Sequence, residues 1–133
     1  MLPWVRLGSV ATEDGVELKL MRRGGEFSIM LGTNELMNSR LSGSEEALAT
    51  LATAEIAGRP EARVLIGGLG MGFTLRAALR TLGTDARVTV AELMPAVVEW
   101  ARGPMAEVLA GSLEDPRVIV REEDVGVVIR AAA

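Results

Sequence analysis

An apolar run, Arg63-Val64-Leu65-Ile66, empties into Gly67-Gly68-Leu69-Gly70-Met71-Gly72-Phe73, and a helical pattern follows at once. Four glycines fall within positions 67–72. A strand that ends in such a turn and runs straight into a helix leaves backbone N–H groups pointing above the strand end, the geometry of a nucleotide site. The spacing Gly68-x-Gly70-x-Gly72 departs from the dinucleotide fingerprint, whose third glycine comes one position later. No Lys-Ser/Thr pair follows to make a P-loop. Taken alone, the turn reads equally as a tight strand-to-helix connection.

The pattern around it fixes the fold class. Arg63–Ile66, Arg87–Ala91 and Arg117–Val120 are apolar and β-branched without clean alternation, as in a parallel sheet covered on both faces. Between them, Leu75, Ala78, Leu79 and Leu82 make one helical face that stops at Gly83. Pro95 opens a second helix through Val97, Val98 and Ala101, which Gly103-Pro104 interrupts. Three βα units in sequence predict an α/β, Rossmann-like parallel sheet. Ahead of it, residues 1–41 read as a small antiparallel β-hairpin unit. Val16, Leu18 and Leu20 alternate with polar residues, Phe27, Ile29 and Leu31 do so again after Gly24-Gly25, and Glu35–Met37 forms a third short strand. Residues 42–133 then hold a helix and the βα units. That helix, over 42–57, takes Ser42 or Ser44 as its cap, places Leu48, Leu51, Ala52 and Ile56 on one face, and ends at Gly58 and Pro60.

Composition removes several function classes. The chain has no cysteine, histidine or tyrosine, so Cys/His zinc sites, thiol nucleophiles and His-based triads are excluded and no metal is expected. Its net charge is −4 with scattered basic residues, which argues against a nucleic-acid partner. No run of eighteen apolar residues exists and no leader pattern opens the chain, so no membrane partner is expected and the cytoplasm is the default address.

Two acids sharpen the reading of the turn. Glu92 ends the second strand about twenty residues after the glycines, where a carboxylate accepts hydrogen bonds from both ribose hydroxyls. Asp124 falls just past the third strand, as a ligand acceptor or as a helix N-cap in the acidic segment with Glu122 and Glu123. A parallel sheet puts the turn, Glu92 and Asp124 on one carboxyl edge, and the implied partner is a small molecule bearing a nucleoside.

RVLIGGLGMGFTLRAAL, RVTVAELMPAVVEWAR and DPRVIVREEDVGVVI together resemble the first half of the class I S-adenosylmethionine-dependent methyltransferase fold, and within it the spermidine synthase (polyamine aminopropyltransferase) family. Residues 1–57 resemble that family's N-terminal hairpins and helix. The resemblance implies a cofactor, S-adenosylmethionine or its decarboxylated form. Glu92 would hold its ribose and Leu93 would pack on adenine. Asp124 would accept from the adenine amino group with the Val125 backbone beside it. Gly68, Gly70 and Gly72 would let the backbone approach the aminoacyl and ribose portion.

The departures are as definite. The family has an Asp where this chain has Gly70, an Asp at the place of Met94, and a Tyr-His-Glu element where Ser44-Glu45-Glu46 stands. Its catalytic Asp ends a fourth strand that lies beyond Ala133, so no catalytic residue is assigned. With the strand order usual for this fold, Val64–Ile66 is left at an open sheet edge. The expectation is either an excised piece of a longer protein or a homo-oligomer that covers this edge. Three functions stay in view: an aminopropyl- or methyltransferase domain, a non-catalytic nucleoside-binding or assembly module, and, less well matched, an NAD-binding unit.

Overall fold

Two successive patterns, hairpin alternation and then βα repetition, give two compact units, Met1–Ser42 and Gly43–Ala133. The computed structural model describes residues 2–40 and 42–132. The expected boundary residue Leu41 and the terminal Ala133 lie outside the described residues.

The first unit is a four-stranded antiparallel sheet in the order β1 (Val5–Ala11), β2 (Glu17–Arg23), β3 (Glu26–Leu31), β4 (Asn34–Asn38). It has one strand more than the alternation indicated. β1 carries Gly8 in mid-strand and a register shift between Arg6 and Gly8, which breaks the period-2 signal. Asp14-Gly15 turns β1 into β2, and Gly24-Gly25 turns β2 into β3, with Gly15 and Gly24 at φ +80° and +58°. Leu18, Leu20, Phe27 and Ile29 form the buried face.

The second unit opens with α1 (Gly43–Ala54) and continues as β5 (Arg63–Gly67), α2 (Phe73–Thr81), β6 (Arg87–Ala91), α3 (Pro95–Arg102), α4 (Ala106–Leu109), β7 (Val118–Arg121) and α5 (Val125–Ala132). The strands are parallel in the order β5-β6-β7, so β5 stands at an edge. This is the α/β class that the sequence predicts.

Register shows how the sheet is coated. Val64, Val88 and Val118 are aligned, as are Ile66, Val90 and Val120, giving one face a purely aliphatic layer. Ile66, Val88 and Val90 are buried, and right-handed crossovers put α2 and α3 on that side. Each such side chain contributes about 1.5–3 kcal/mol through burial. The other face does not match the expectation of two covered faces. It presents Arg63 beside Arg87, and Leu65 beside Thr89 and Ile119. Leu65 remains 37% and Ile119 53% exposed. α5 lies against this side and borders a cleft of about 360 Å³ lined by Leu65, Thr89, Arg121 and Val128.

The reading of α1 is also corrected. Its Leu48 and Leu51 are 67% and 73% exposed, whereas Ala49 and Thr53 are buried. Small residues let α1 lie close to α2, and the Thr53 hydroxyl donates to the Ala49 carbonyl at 2.7 Å instead of remaining unsatisfied. The leucine stripe belongs to the helix's outer side.

Arg117 closes the C-terminus of α2. Its Nη1 donates to the carbonyls of Leu79, Leu82 and Gly83 at 3.1, 3.0 and 3.2 Å, at a helix end where intrahelical donors run out. Nε and Nη2 form a bidentate pair with Asp115 at 3.0 and 2.8 Å. The Arg117 guanidinium, followed by its backbone N–H, holds the Asp115 carboxyl below its ordinary range. A depressed carboxyl stabilises the fold above its unfolded value of about 3.9 and loses that contribution as pH falls through the folded value. Arg117→Met should therefore cost about 2–4 kcal/mol at neutral pH and flatten the acid limb of stability. Urea midpoints followed from about pH 7 to about pH 2 check both parts.

Candidate nucleoside-binding edge

The glycine turn is shaped by backbone that only glycine adopts readily. Gly68, Gly70 and Gly72 have φ of +97°, +53° and +81°. Alternating with them, Leu69, Met71 and Phe73 are buried, so the turn interleaves bends with apolar anchors. Gly68 N donates to Ala91 O at 2.7 Å, and Gly72 N donates to Leu69 O at 2.9 Å. α2 follows Gly72 with no side-chain hydrogen bond capping its N-terminus, where first-turn amides and the positive dipole end lie.

The three glycines do different work. Around Gly68 a side chain would meet no atom within 4 Å, so that position opens outward. At Gly72 an added Cβ would sit 2.1 Å from Leu109 Cδ1. Gly72 is thus dictated by the packing of α4 behind the turn, where Arg76 Nη1 also donates to Val108 O at 2.9 Å.

Glu92 is drawn directly into the turn. Its Oε1 accepts from Leu69 N at 2.9 Å and its Oε2 from Met94 N at 3.0 Å, with the residue only 8% exposed. Two backbone donors compensate the buried charge, and no ion pair engages it among the described residues. A carboxylate offers about four acceptor sites, so capacity for further donors remains. Leu93, next in the chain, is 61% exposed and supports little of the core.

Asp124 adopts the helix-cap geometry. It is exposed, its Oδ1 accepts from Gly126 N at 2.7 Å, and its carbonyl accepts from Val127 N and Val128 N. Val125 brings that cap to the same edge: a Cβ on Gly67 would lie 3.1 Å from Val125 Cγ2. The ends of β5, β6 and β7 thus bring the turn, Glu92–Leu93 and Asp124–Val125 together. Sequence reasoning missed the backbone bonds of Glu92, the short α4 and the capping pair Asp115–Arg117. Of these, only the last had a local signal, an acid and an arginine flanking Pro116 at a strand start.

A glycine turn between parallel strand and helix, with an acid at the next strand's end, defines a methyltransferase-like α/β fold. The solved structures agree, since the chain superposes on spermidine synthase bound to the transition-state analogue AdoDATO with a TM-score of 0.73 at 18% identity, over 95% of this chain and 43% of that one. Spermidine synthase from Thermotoga maritima gives the same score and identity, with 42% of its length covered. In sequence, the chain is 46% identical over 70 residues to the polyamine aminopropyltransferases of Mycobacterium tuberculosis and Mycobacterium bovis. That stretch is 53% of this chain and 13% of those proteins. No protein-family model matches the chain. Sequence and fold both liken this chain to aminopropyltransferases, and the chain spans less than half the length of the proteins it resembles. Among the described residues no helix is long and apolar enough to cross a membrane.

Proposed function

We propose that the second unit binds the adenosyl portion of S-adenosylmethionine, or of its decarboxylated form, along the carboxyl edge of the parallel sheet. The observation that carries this reading is the contact of Glu92 with the turn: a buried carboxylate held under three left-handed glycines, with acceptor capacity unused. Glu92 takes the ribose hydroxyls, Leu93 lies on one face of the adenine, and Asp124 with the Val125 backbone meets its polar edge. Gly68 admits the remainder of the ligand. When bound, the cofactor supplies an alkyl carbon made electrophilic by the adjacent sulfonium. The chain's own part is to hold and orient that carbon. By analogy with its relatives, the acceptor is an amine of the polyamine class. No residue of this chain is assigned to deprotonate it, and the proposal is confined to binding.

Calorimetric titration with S-adenosylmethionine, its decarboxylated form and methylthioadenosine is the direct test. Leu93→Ser should weaken all three about 10-fold by removing apolar contact, with stability changed by less than about 0.5 kcal/mol. Absence of heat with every ligand at millimolar concentration would sink the proposal.

A second reading, an assembly module that does not turn over, is favoured by the exposed Leu48 and Leu51 and by the edge strand β5. Self-association through that edge would satisfy the unpaired backbone groups of β5.

A further inference from the structure

The first unit carries a cleft of its own, of about 550 Å³, in the size range of small-molecule sites. It lies on the side of the sheet opposite the buried Leu18 and Leu20, where Lys19, Met21 and Arg23 project together from β2. Register across β2 and β3 sets the rows: Lys19 beside Met30, Met21 beside Ser28, Arg23 beside Glu26. Met21 and Met30 provide a soft apolar floor that adapts to shape. Trp4 stands at one end, its ring 4.6 Å from the Arg23 guanidinium carbon.

The charges are spoken for except one. Arg23 and Arg40 share the Glu26 carboxylate at 3.1 and 3.6 Å. Glu35 accepts from the Ser28 hydroxyl and from Asn38 Nδ2, bonds that hold its carboxyl below the usual range. Lys19, the single lysine of the chain, is half-buried and has no ion-pair partner among the described residues. Counting Glu26, the cleft carries three cations against two carboxylates, and Lys19 is the cation with no ion pair among the described residues. Such a site repels a polyamine and selects an anion.

We infer that this cleft binds a monoanion with a flat apolar body, an aryl carboxylate, with the carboxylate on Lys19 and the ring over Met21 and Met30 toward Trp4. Lys19 and Met21 are roughly 7 Å apart along the strand, about the reach of a two-ring aryl acid. The residues that line the site all belong to the first unit.

The probe is 2-naphthoate, titrated into the full chain by calorimetry and by amide and indole N–H spectra. Saturable 1:1 binding is expected, shifting the indole resonance of Trp4 and leaving that of buried Trp100 in place. Lys19→Ala should weaken it about 10-fold or more, Lys19→Glu should remove it, and Lys19→Arg should retain it. The uncharged 2-naphthamide should bind about 10-fold more weakly than the acid. Circular dichroism of each variant reports the fold separately. Equal affinity for acid and amide, indifference to Lys19→Glu in a folded variant, or no saturable binding at millimolar probe would overturn the inference.

Discussion

Glu92→Ala should lower affinity for S-adenosylmethionine by about 100-fold or more and destabilise the second unit by about 2–4 kcal/mol. The first figure follows from two charge-assisted bonds to ribose, each worth about 1.5–3 kcal/mol. The second follows from the Leu69 and Met94 amides, which lose their acceptor in a buried setting at about 1–3 kcal/mol each, less what water restores. Glu92→Gln separates the two effects. It keeps the volume, but its amide carries one donor end, which must face either a backbone N–H or the ligand. We expect it to weaken binding about 10-fold or more while losing about half the stability that alanine loses. Calorimetry and urea unfolding measured side by side are decisive. A Glu92→Ala protein that is destabilised yet binds normally would leave the turn clasp intact as an idea and remove the ribose role.

Gly72→Ala has the second-largest expected effect, roughly 2–5 kcal/mol of destabilisation. Part is conformational, because alanine at φ +81° costs about 1–3 kcal/mol. The rest is steric, since the new methyl would meet Leu109 Cδ1 at 2.1 Å, and overpacking of this kind costs about 1–3 kcal/mol. Leu109→Ala alone should cost about 2–5 kcal/mol through the cavity it leaves. The pair should be less damaging than the sum by about 1–3 kcal/mol, because shortening Leu109 makes room for the methyl. Urea midpoints of the two single variants and the double variant complete the cycle. Strict additivity would mean that the glycine is required for backbone conformation alone.

What the sequence revealed, and where it fell silent, follows from the range of each interaction. β5, β6 and β7 were legible because contiguous β-branched residues give a strand signal in any context. β7 begins one residue later than expected, at Val118, since Arg117 turns aside to cap α2. β1 was hidden because Gly8 and its register shift interrupt the alternation on which a strand is recognised. In α1 periodicity located an apolar stripe at Leu48 and Leu51, but periodicity cannot say which neighbour a stripe meets. The observed contact uses Ala49 and Thr53 because close helix approach favours small side chains. At the edge, sequence spacing located Glu92 and Asp124 at their strand ends. The folding-back of Leu69 N onto Glu92 is a bond across 23 positions, and nothing local encodes it.

The half-coated parallel sheet makes the melting temperature of this chain a reporter. Leu65 and Ile119 stay in water, so any body that seats on that face is linked to the folding equilibrium by mass action. Apparent stability then climbs with the logarithm of that body's concentration, by about 1.4 kcal/mol for each tenfold excess over its dissociation constant. A thermal shift that scales in this way would detect a body seated on that face without knowing in advance what it is.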